Sequence, residues 1–230
     1  PELIFGTLLT STNYDDNEKR EWGGRNGYGA KLANIFSKKM IVETVDVHRS
    51  KKYIQVFEDN MSKIGKPKIT TFKGKPYTKI TWYPDYEKFN MKELDNIHIN
   101  LFKKRVYDIS ACSDKSVSVF LNKNKINEKT FEKYVNLYLE KDQTRICQEE
   151  DGWTVVASYN NNEIFEQVSF VNGINTVNGG KHVDYIVDQI KEKLTEMIKK
   201  KKKINIKPIY VKNQLSLFVN STIVNPVFDG

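Results

Sequence analysis

A glycine-rich stretch near the amino end has the residue types and the spacing that could hold a phosphate group. It runs through Gly24, Arg25, Asn26, Gly27, Tyr28, Gly29, Ala30 and Lys31. Three glycines within six residues let the backbone take positive φ and bring its N–H groups close to an anion. If a helix begins at Gly29, its first N–H groups and its dipole face the same anion. Lys31 adds a point charge and Arg25 a fork of donors, a combination typical of polyphosphate binding.

The stretch fits neither of the two familiar phosphate-binding motifs. A P-loop has four residues between its glycines and then Lys-Ser or Lys-Thr, whereas Leu32 follows Lys31 here. A dinucleotide fingerprint needs a preceding strand and the opposite order of glycines. The residues alone therefore leave two interpretations, a third kind of phosphate loop or a structural glycine-rich turn.

A second candidate is the lysine run Lys199, Lys200, Lys201, Lys202 and Lys203. Residues 191–212 hold nine lysines and two glutamates, so they carry +7 of the net charge of +8, and the other 208 residues carry about +1. Lysines without interleaved aromatic residues cannot recognise bases, but they can pair with phosphates in a salt-sensitive way. The alternative is a solvated helix end or an interaction tail.

Other residue types offer no comparable site. Cys112 and Cys147 have no CxxC spacing and the three histidines are scattered, so neither a zinc site nor a disulfide framework is predicted, and a reducing compartment is indicated. Four acidic residues before the glycines are expected to form a solvated loop rather than a metal site: Asp15, Asp16, Glu18 and Glu21. No apolar run approaches about 18 residues, and the first residues lack the features of a signal peptide.

The elements that must position these residues alternate between helix and strand, which predicts an α+β fold with two α/β units in series. Strands are predicted at Met40–His48, Lys51–Glu58, Lys68–Phe72, Tyr77–Tyr83, Ser116–Leu121, Gly152–Tyr159, Phe165–Val171, Ile209–Val211 and Leu215–Val219. Helices are predicted from Met91 to about Ile109, around Phe131–Tyr138, and after Gly179-Gly180. The last helix has the apolar stripe Val183, Ile186, Val187, Ile190, Leu194 and Met197, and it ends in the lysine run.

Long stretches of the chain resemble the ATPase region of the eukaryotic-type DNA topoisomerase II family. PELIFGTLLTSTNYDD followed by GGRNGYGAKLANIFS is similar to the ATP lid of that region, which belongs to the superfamily of gyrases, histidine kinases and mismatch-repair ATPases. QVSFVNGINTVNGGKHVDYIVDQI (Gln167–Ile190) and VKNQLSLFVNSTIVNPVFDG (Val211–Gly230) resemble two further stretches in the right order. The resemblance covers essentially the whole chain and is weakest near Glu140–Gly152, where the chain is shorter.

The resemblance implies a nucleotide site. It puts Ser11, Thr12 and Asn13 on the ribose and phosphates and Gly24–Lys31 around the triphosphate, whereas the residues alone favour a polar turn or cap at Ser11–Asn13. It implies no catalytic or metal-binding residue in the chain. In the family, the water-activating glutamate and the magnesium-binding asparagine lie upstream of Pro1, and the lysine that reaches the γ-phosphate follows Gly230. The fragment alone is therefore expected to be inactive, and His182 is expected to be structural.

The resemblance also implies the domains and the whole-protein function. Residues 1–121 correspond to the latter, C-terminal part of a nucleotide-binding domain of the gyrase and histidine-kinase type, which is an α/β sandwich. Residues 122–230 correspond to a transducer domain with a mixed sheet and helices. ATP with Mg²⁺ would drive dimerisation of a gate and passage of one DNA duplex through a break in another. The partners would be double-stranded DNA, contacted by Lys199–Lys203, and a second copy of the chain, with no membrane.

Two alternatives stay open at this point. One is another ATPase of the superfamily, of the mismatch-repair type, against which the match at Gln167–Ile190 argues. The other is a DNA-binding or scaffold module whose glycine loop is structural and which binds no nucleotide. The expected location is the nucleus, or the host cell or viral factory if the source is a large DNA virus.

Overall fold

A computed structural model describes residues 1–15 and 17–228 and divides the chain into two compact units. Unit 1 comprises residues 1–17 and 24–96, and unit 2 comprises residues 18–23 and 97–230. Helices and β-sheets occur together, so the predicted α+β class is confirmed. The division into functional domains at residues 121 and 122 stays a prediction. Within the described residues, no helix combines the length and the apolar character that crossing a bilayer requires.

Unit 1 consists of two short helices and an antiparallel sheet. The helices are α1 (Glu2–Gly6) and α2 (Gly29–Ile35), and the strands are β1 (Ser37–Asp46), β2 (Lys51–Glu58), β3 (Lys63–Ile64), β4 (Lys68–Thr71) and β5 (Thr78–Pro84). Strand β1 lies between β2 and β5, and both β3 and β4 pair with the free side of β2. A 3₁₀ turn, Tyr86–Phe89, follows the last strand.

The core of unit 1 follows from the alternation of side chains along its strands. Met40 and Val42 of β1 and Phe57 of β2 are buried on one face of the sheet. Phe5 of α1 and Ala33 of α2 pack against them. This packing places the amino end of α2, and with it the glycine-rich stretch, at the edge of the core.

Unit 2 is built on a second five-stranded sheet. Its elements are α3 (Asn96–Cys112), β6 (Phe120–Leu121), β7 (Asn124–Lys125), α4 (Phe131–Val135), β8 (Arg145–Glu150), β9 (Trp153–Tyr159), β10 (Glu166–Val171), β11 (Ile174–Asn175), α5 (Lys181–Lys202), α6 (Pro208–Asn213) and β12 (Leu215–Ser221). The strand order is β11-β10-β12-β9-β8, with β10 and β12 parallel and the other pairs antiparallel. The sheet is therefore mixed, as predicted.

Both faces of the unit 2 sheet are packed. Alternation along β12 directs Leu217 and Val219 to one face, where they meet Val183 and Val187 of α5. Phe218 points the other way, into an aromatic cluster with residues of α3, α4, β9 and β10: Ala111, Phe131, Tyr134, Val135, Val156 and Phe170. Phe131 and Tyr134 of α4 are thus core residues, as their spacing predicts. Tyr138, which the same spacing predicts as core, lies after the end of α4 and is exposed, so that part of the prediction is wrong.

Two predictions about elements are wrong, and one strand has no counterpart among the predictions. Only Phe120–Leu121 of the predicted strand Ser116–Leu121 is a strand. The predicted strand Ile209–Val211 lies in helix α6, because Pro208 presets φ at the first turn of that helix. Strand β8 was not predicted, since its sequence RICQEE is polar and almost fully exposed, and no alternation of apolar residues marks it.

Candidate nucleotide-binding site

The structure brings the two predicted segments of the nucleotide site together within unit 1. The Ser11 hydroxyl donates to the Arg25 carbonyl at 2.5 Å, and the Asn13 side-chain amide donates to the Gly24 carbonyl at 3.0 Å. The Asn13 backbone N–H donates to the Ser11 oxygen at 3.1 Å, which fixes the turn between them. Thr12, also predicted, is exposed. Ser11 and Asn13 thus support the backbone of the glycine-rich stretch.

The middle of the stretch is shaped by Gly27. Its φ is +66°, and a Cβ there would lie 3.4 Å from the Ser11 Cβ and 3.5 Å from the Lys31 Nζ. The positive φ favours glycine, whereas the two distances are ordinary van der Waals contacts, so the backbone conformation rather than lack of space selects glycine here. The hydroxyl of Tyr14 donates to the carbonyl of Asn26 at 3.3 Å. This hydrogen bond also holds the glycine-rich stretch, and sequence analysis did not predict it.

Lys31 lies in the first turn of α2 and is buried, with 3% of its surface exposed. Its Nζ donates to the Gly27 carbonyl at 3.1 Å, the i, i+4 spacing that places both groups on the same side of a turn. No carboxylate in the described part of the chain forms an ion pair with it. A buried charge without a counter-charge is costly, so this ammonium fits an anionic ligand.

The other two glycines leave space on the surface of the stretch. A Cβ on Gly24 or on Gly29 would meet nothing within 4 Å. Helix α2 begins at Gly29, and its N-cap residue, Tyr28, makes no side-chain cap hydrogen bond. The first N–H groups of a helix have no partner within the helix, so those of Gly29, Ala30 and Lys31 are available to a ligand. The remaining predicted residues Arg25, Asn26, Tyr28 and Ala30 are exposed.

Residues 18–23, which interrupt the site in sequence, belong to unit 2. Arg20 and Asn225 exchange two hydrogen bonds, each 2.8 Å long, through the Arg20 backbone. The Arg20 Nη2 donates to the Pro226 carbonyl at 3.1 Å, and only 7% of the residue is exposed. Sequence analysis missed this attachment because its partners are more than 200 residues apart in the chain.

The acidic residues around this segment are solvent-facing. Asp15, Glu18 and Glu21 are exposed, as predicted for a solvated loop, and Asp16 lies outside the described residues. Across residues 1–15 and 17–228, no group of three His, Cys, Asp or Glu side chains could hold a metal ion. The burial of His182 lowers its pKa, and its Nε2 lies 3.0 Å from the Thr176 hydroxyl.

The lysine run ends helix α5 in unit 2. Lys199–Lys202 form its last turn, and Lys203 follows with φ +60° and its N–H bonded to the Lys199 carbonyl. All five side chains are exposed, and Lys200 lies 3.9 Å from the Glu196 carboxylate. Consecutive helical residues point about 100° apart, so only part of the run can face a single partner.

Comparison with protein families and solved structures identifies the chain. The family model of DNA gyrase B matches residues 115–230, half of the sequence. The chain belongs to the DNA gyrase B family. Within it, the chain is similar over its whole length to eukaryotic DNA topoisomerase 2, with 50% identity to the protein of Arabidopsis thaliana and 45% to that of Saccharomyces cerevisiae. DNA topoisomerase 2-alpha of Homo sapiens is 47% identical.

Solved structures support the same assignment to the gyrase B family. The ATPase region of Saccharomyces cerevisiae topoisomerase II superposes with a TM-score of 0.91 at 46% identity. The ATPase and transducer domains of DNA topoisomerase II from Balamuthia mandrillaris superpose with a TM-score of 0.92 at 41% identity. Each comparison covers 100% of this chain and 60% of the solved one. The curated relatives are much longer, since the chain spans 16% of the Arabidopsis and human proteins and 17% of the yeast protein.

Proposed function

We propose that this chain, as the ATPase region of a type II topoisomerase, binds ATP in the glycine-rich stretch and uses it to drive DNA strand passage. In the whole protein, binding would dimerise a gate formed by two copies of the region, and hydrolysis would reset it. The single observation that carries the proposal is the buried Lys31 ammonium, held by the Gly27 carbonyl and without a counter-charge in the described chain. A triphosphate supplies the missing negative charge.

The residues would divide the binding work by their chemistry. The N–H groups of Gly29, Ala30 and Lys31 would donate to phosphate oxygens, and the Lys31 ammonium would add charge-assisted hydrogen bonds. Ser11, Thr12 and Asn13 would contact the ribose and phosphates, and the bonds from Ser11 and Asn13 would hold the glycine-rich stretch beside them. ATP in such enzymes carries Mg²⁺, and the described residues offer no cluster of ligands for it, so the Mg²⁺ ligands would come from the nucleotide and from other parts of the protein.

We propose further that residues 1–121 act as the latter part of the nucleotide-binding domain and residues 122–230 as the transducer. The exposed lysines Lys199–Lys203 would contact the phosphates of double-stranded DNA without reading its sequence. The named relatives come from eukaryotes, which supports a nuclear location rather than a viral factory.

The substitution Gly29→Ala tests the nucleotide site. The added methyl group meets only open space in the chain, so it should leave the free energy of unfolding nearly unchanged. A phosphate held by the α2 N–H groups would occupy that space, so the affinity for a non-hydrolysable ATP analogue should fall about 10-fold or more, the effect of losing one charge-assisted hydrogen bond. Isothermal titration of the intact protein measures the affinity, and urea denaturation measures the stability. Unchanged analogue affinity in a stable variant would remove the phosphate-loop assignment.

Neutralising the lysine run tests the DNA contact. Replacing Lys199–Lys203 with glutamine should weaken duplex binding equally for unrelated sequences. It should also flatten the plot of log affinity against log salt by about 0.9 for each lysine–phosphate pair that the variant no longer forms. Labelled-duplex titrations of the intact protein at several salt concentrations measure this slope. Equal slopes for the wild-type protein and the variant would leave the run as a solvated helix end.

A further inference from the structure

One end of the unit 1 sheet gathers lysines from two turns that are distant in sequence. Strand β1 ends opposite the start of β2, with Asp46 paired to Lys51. Strand β4 ends at the same level, with Thr71 paired to Lys51, and β5 starts there, with Thr78 paired to Thr44. The connection of residues 72–77 therefore crosses over the turn of residues 47–50. We call this surface, formed by residues 47–52 and 71–79, the basic sheet end.

Hydrogen bonds hold the crossing connection in place. The Phe72 N–H donates to the Ser50 carbonyl at 2.9 Å, and the Val45 N–H donates to the Tyr77 carbonyl at 2.9 Å. Gly74 allows the tight turn, because a Cβ there would lie 2.4 Å from the Phe72 ring. The lysines on either side of Gly74 are thereby presented from a fixed backbone.

Two carboxylates at this end are already neutralised. Glu43 pairs with Lys52 at 3.1 Å and also accepts from the Tyr77 hydroxyl, while Asp46 pairs with Arg49 at 2.8 Å. The Tyr77 hydroxyl bond, and then the bond from Lys52, hold the pKa of Glu43 below its usual range. Residues 47–52 and 71–79 themselves contain neither aspartate nor glutamate that could offset the remaining lysines.

The remaining lysines at the basic sheet end are exposed. Lys51, Lys73, Lys75 and Lys79 make no ion pair within the described residues. Residues 60–84 contain six lysines and neither aspartate nor glutamate. The near-neutral sum of the 208 residues outside residues 191–212 therefore conceals a second basic surface, balanced by acidic residues elsewhere.

Aromatic rings lie among these cations. Phe72 and Tyr77 pack edge to face with their centroids 6.4 Å apart, and the Lys52 ammonium lies 5.7 Å from each ring. The row from β4 to β5 covers three strand spacings, about 15 Å. A DNA duplex carries one backbone charge per about 1.7 Å of its axis, so several phosphates lie within that length.

We infer that the basic sheet end is a second surface for duplex DNA, one that pairs Lys51, Lys73, Lys75 and Lys79 with backbone phosphates. The inference rests on the proposed function for the choice of DNA as the polyanion, but it concerns a surface of unit 1 rather than the lysine run of unit 2. Exposed lysines on a fixed turn match phosphate pairing, which needs charge and reach but no reading of bases.

The test compares two variants that each remove two positive charges from unit 1. The first is Lys73→Gln/Lys75→Gln at the basic sheet end. The matched control is Lys88→Gln/Lys92→Gln, two exposed lysines that follow the opposite end of β5. Duplex affinity of the intact protein is measured at several salt concentrations, and urea midpoints confirm that both variants fold.

The expected result is a flatter salt dependence in the first variant only, by up to about 1.8 for two phosphate pairings at about 0.9 each. A slope equal to that of the wild-type protein or of the control overturns the inference. Loss of binding to poly-glutamate with unchanged duplex binding would also overturn it, since the surface would then suit an acidic protein.

The glutamine variant of Lys199–Lys203 separates this inference from the proposed function. If that variant flattens the slope and the basic-sheet-end variant does not, the proposed DNA contact stands and the inference falls. If only the basic-sheet-end variant flattens it, the inference stands and the lysine run has no DNA role.

Discussion

Two buried charges, Lys31 in unit 1 and Asp108 in unit 2, share an exposure of 3% but differ in their surroundings. Asp108 accepts a hydrogen bond from Tyr134 at 2.6 Å, and its two oxygens accept from the Lys104 ammonium at 3.0 and 2.9 Å. Lys31 donates once, to the Gly27 carbonyl, and has no carboxylate partner in the described chain. Because a buried charge is costly unless paired, the first arrangement is complete by itself, whereas an anion would complete the second.

The network around Asp108 shows what a purely structural charge requires. Tyr134 gives its only hydroxyl proton to Asp108, so at 2.7 Å the hydroxyl of Tyr138 must donate to it in turn. Burial, and then the bond to Asp108, raise the pKa of Tyr134 far above its usual value. Each of the four side chains in this network has a polar partner, which marks the network as part of the core rather than as a site.

The largest expected effect tests the structural side of this comparison. Asp108→Ala should lower the free energy of unfolding by about 3 kcal/mol, because it leaves Lys104 and Tyr134 without their common partner. Lys104 keeps 38% of its side chain exposed, which places the loss at the low end for a buried pair. Urea denaturation measures it, with Asp114→Ala as the exposed carboxylate control. A loss equal to that of the control would show that the network adds no stability.

The next effect tests the ligand-binding side. Lys31→Met should lower the affinity for an ATP analogue about 10-fold or more, the range of a hydrogen bond to a charged group. Stability should stay the same or rise, since a buried charge without a counter-charge is removed. Lys88→Met removes an exposed lysine of unit 1 and should change neither quantity. If Lys31→Met instead destabilises the protein and leaves analogue affinity unchanged, Lys31 resembles Asp108 and the contrast disappears.

A smaller effect tests whether burial determines the strength of the hydrogen bonds around Asp108 in unit 2. Tyr134→Phe keeps the ring in the aromatic cluster but removes the hydroxyl that joins Asp108 and Tyr138. We expect a loss of about 1.5 kcal/mol, the low end for one hydrogen bond to a charged group. The same change at Tyr138, which is exposed, should cost less. Equal losses in the two variants would mean that burial does not determine how much these hydrogen bonds contribute to the free energy of unfolding.

The smallest expected effect concerns His182, a buried side chain whose surroundings are intermediate between those of Lys31 and Asp108. Burial lowers the pKa of His182, and the Asp184 carboxylate opposes the shift only in part. The histidine therefore binds a proton near pH 6.5 in the unfolded chain but only at lower pH in the folded chain. The free energy of unfolding should therefore fall as the pH drops below about 6.5. Urea midpoints between pH 5 and 8 measure this slope, and His182→Gln should flatten it. An unchanged slope in the variant would assign the dependence to other groups.

Much of the fold could be predicted because its signals are local. The apolar stripe of α5 and the alternation of β1, β2, β9, β10 and β12 follow the periods of a helix and of strands. Strand β8 could not be predicted, because an edge strand needs only backbone pairing with β9 and carries no apolar pattern. The stripe of α5 also misled in part, since Leu194 and Met197 remain exposed where the helix extends past its packed face.

The sequence by itself determined the local chemistry of the candidate site. Glycine at position 27 permits the positive φ, and the spacing of four residues brings Lys31 back to the Gly27 carbonyl. Both follow from backbone geometry within one turn, which neighbouring residues alone control. The lysine run was equally visible, because its charge is contiguous.

Only the tertiary structure decided which charges are buried and which are gathered together. The burial of Lys31 depends on the packing of α2 on the sheet, and Arg20 is held by Asn225 from the far end of the chain. The basic sheet end exists because strand register aligns two separate turns. Burial and long-range pairing depend on the whole fold. A count of charges along the sequence therefore does not show which charges are buried or which lie close together.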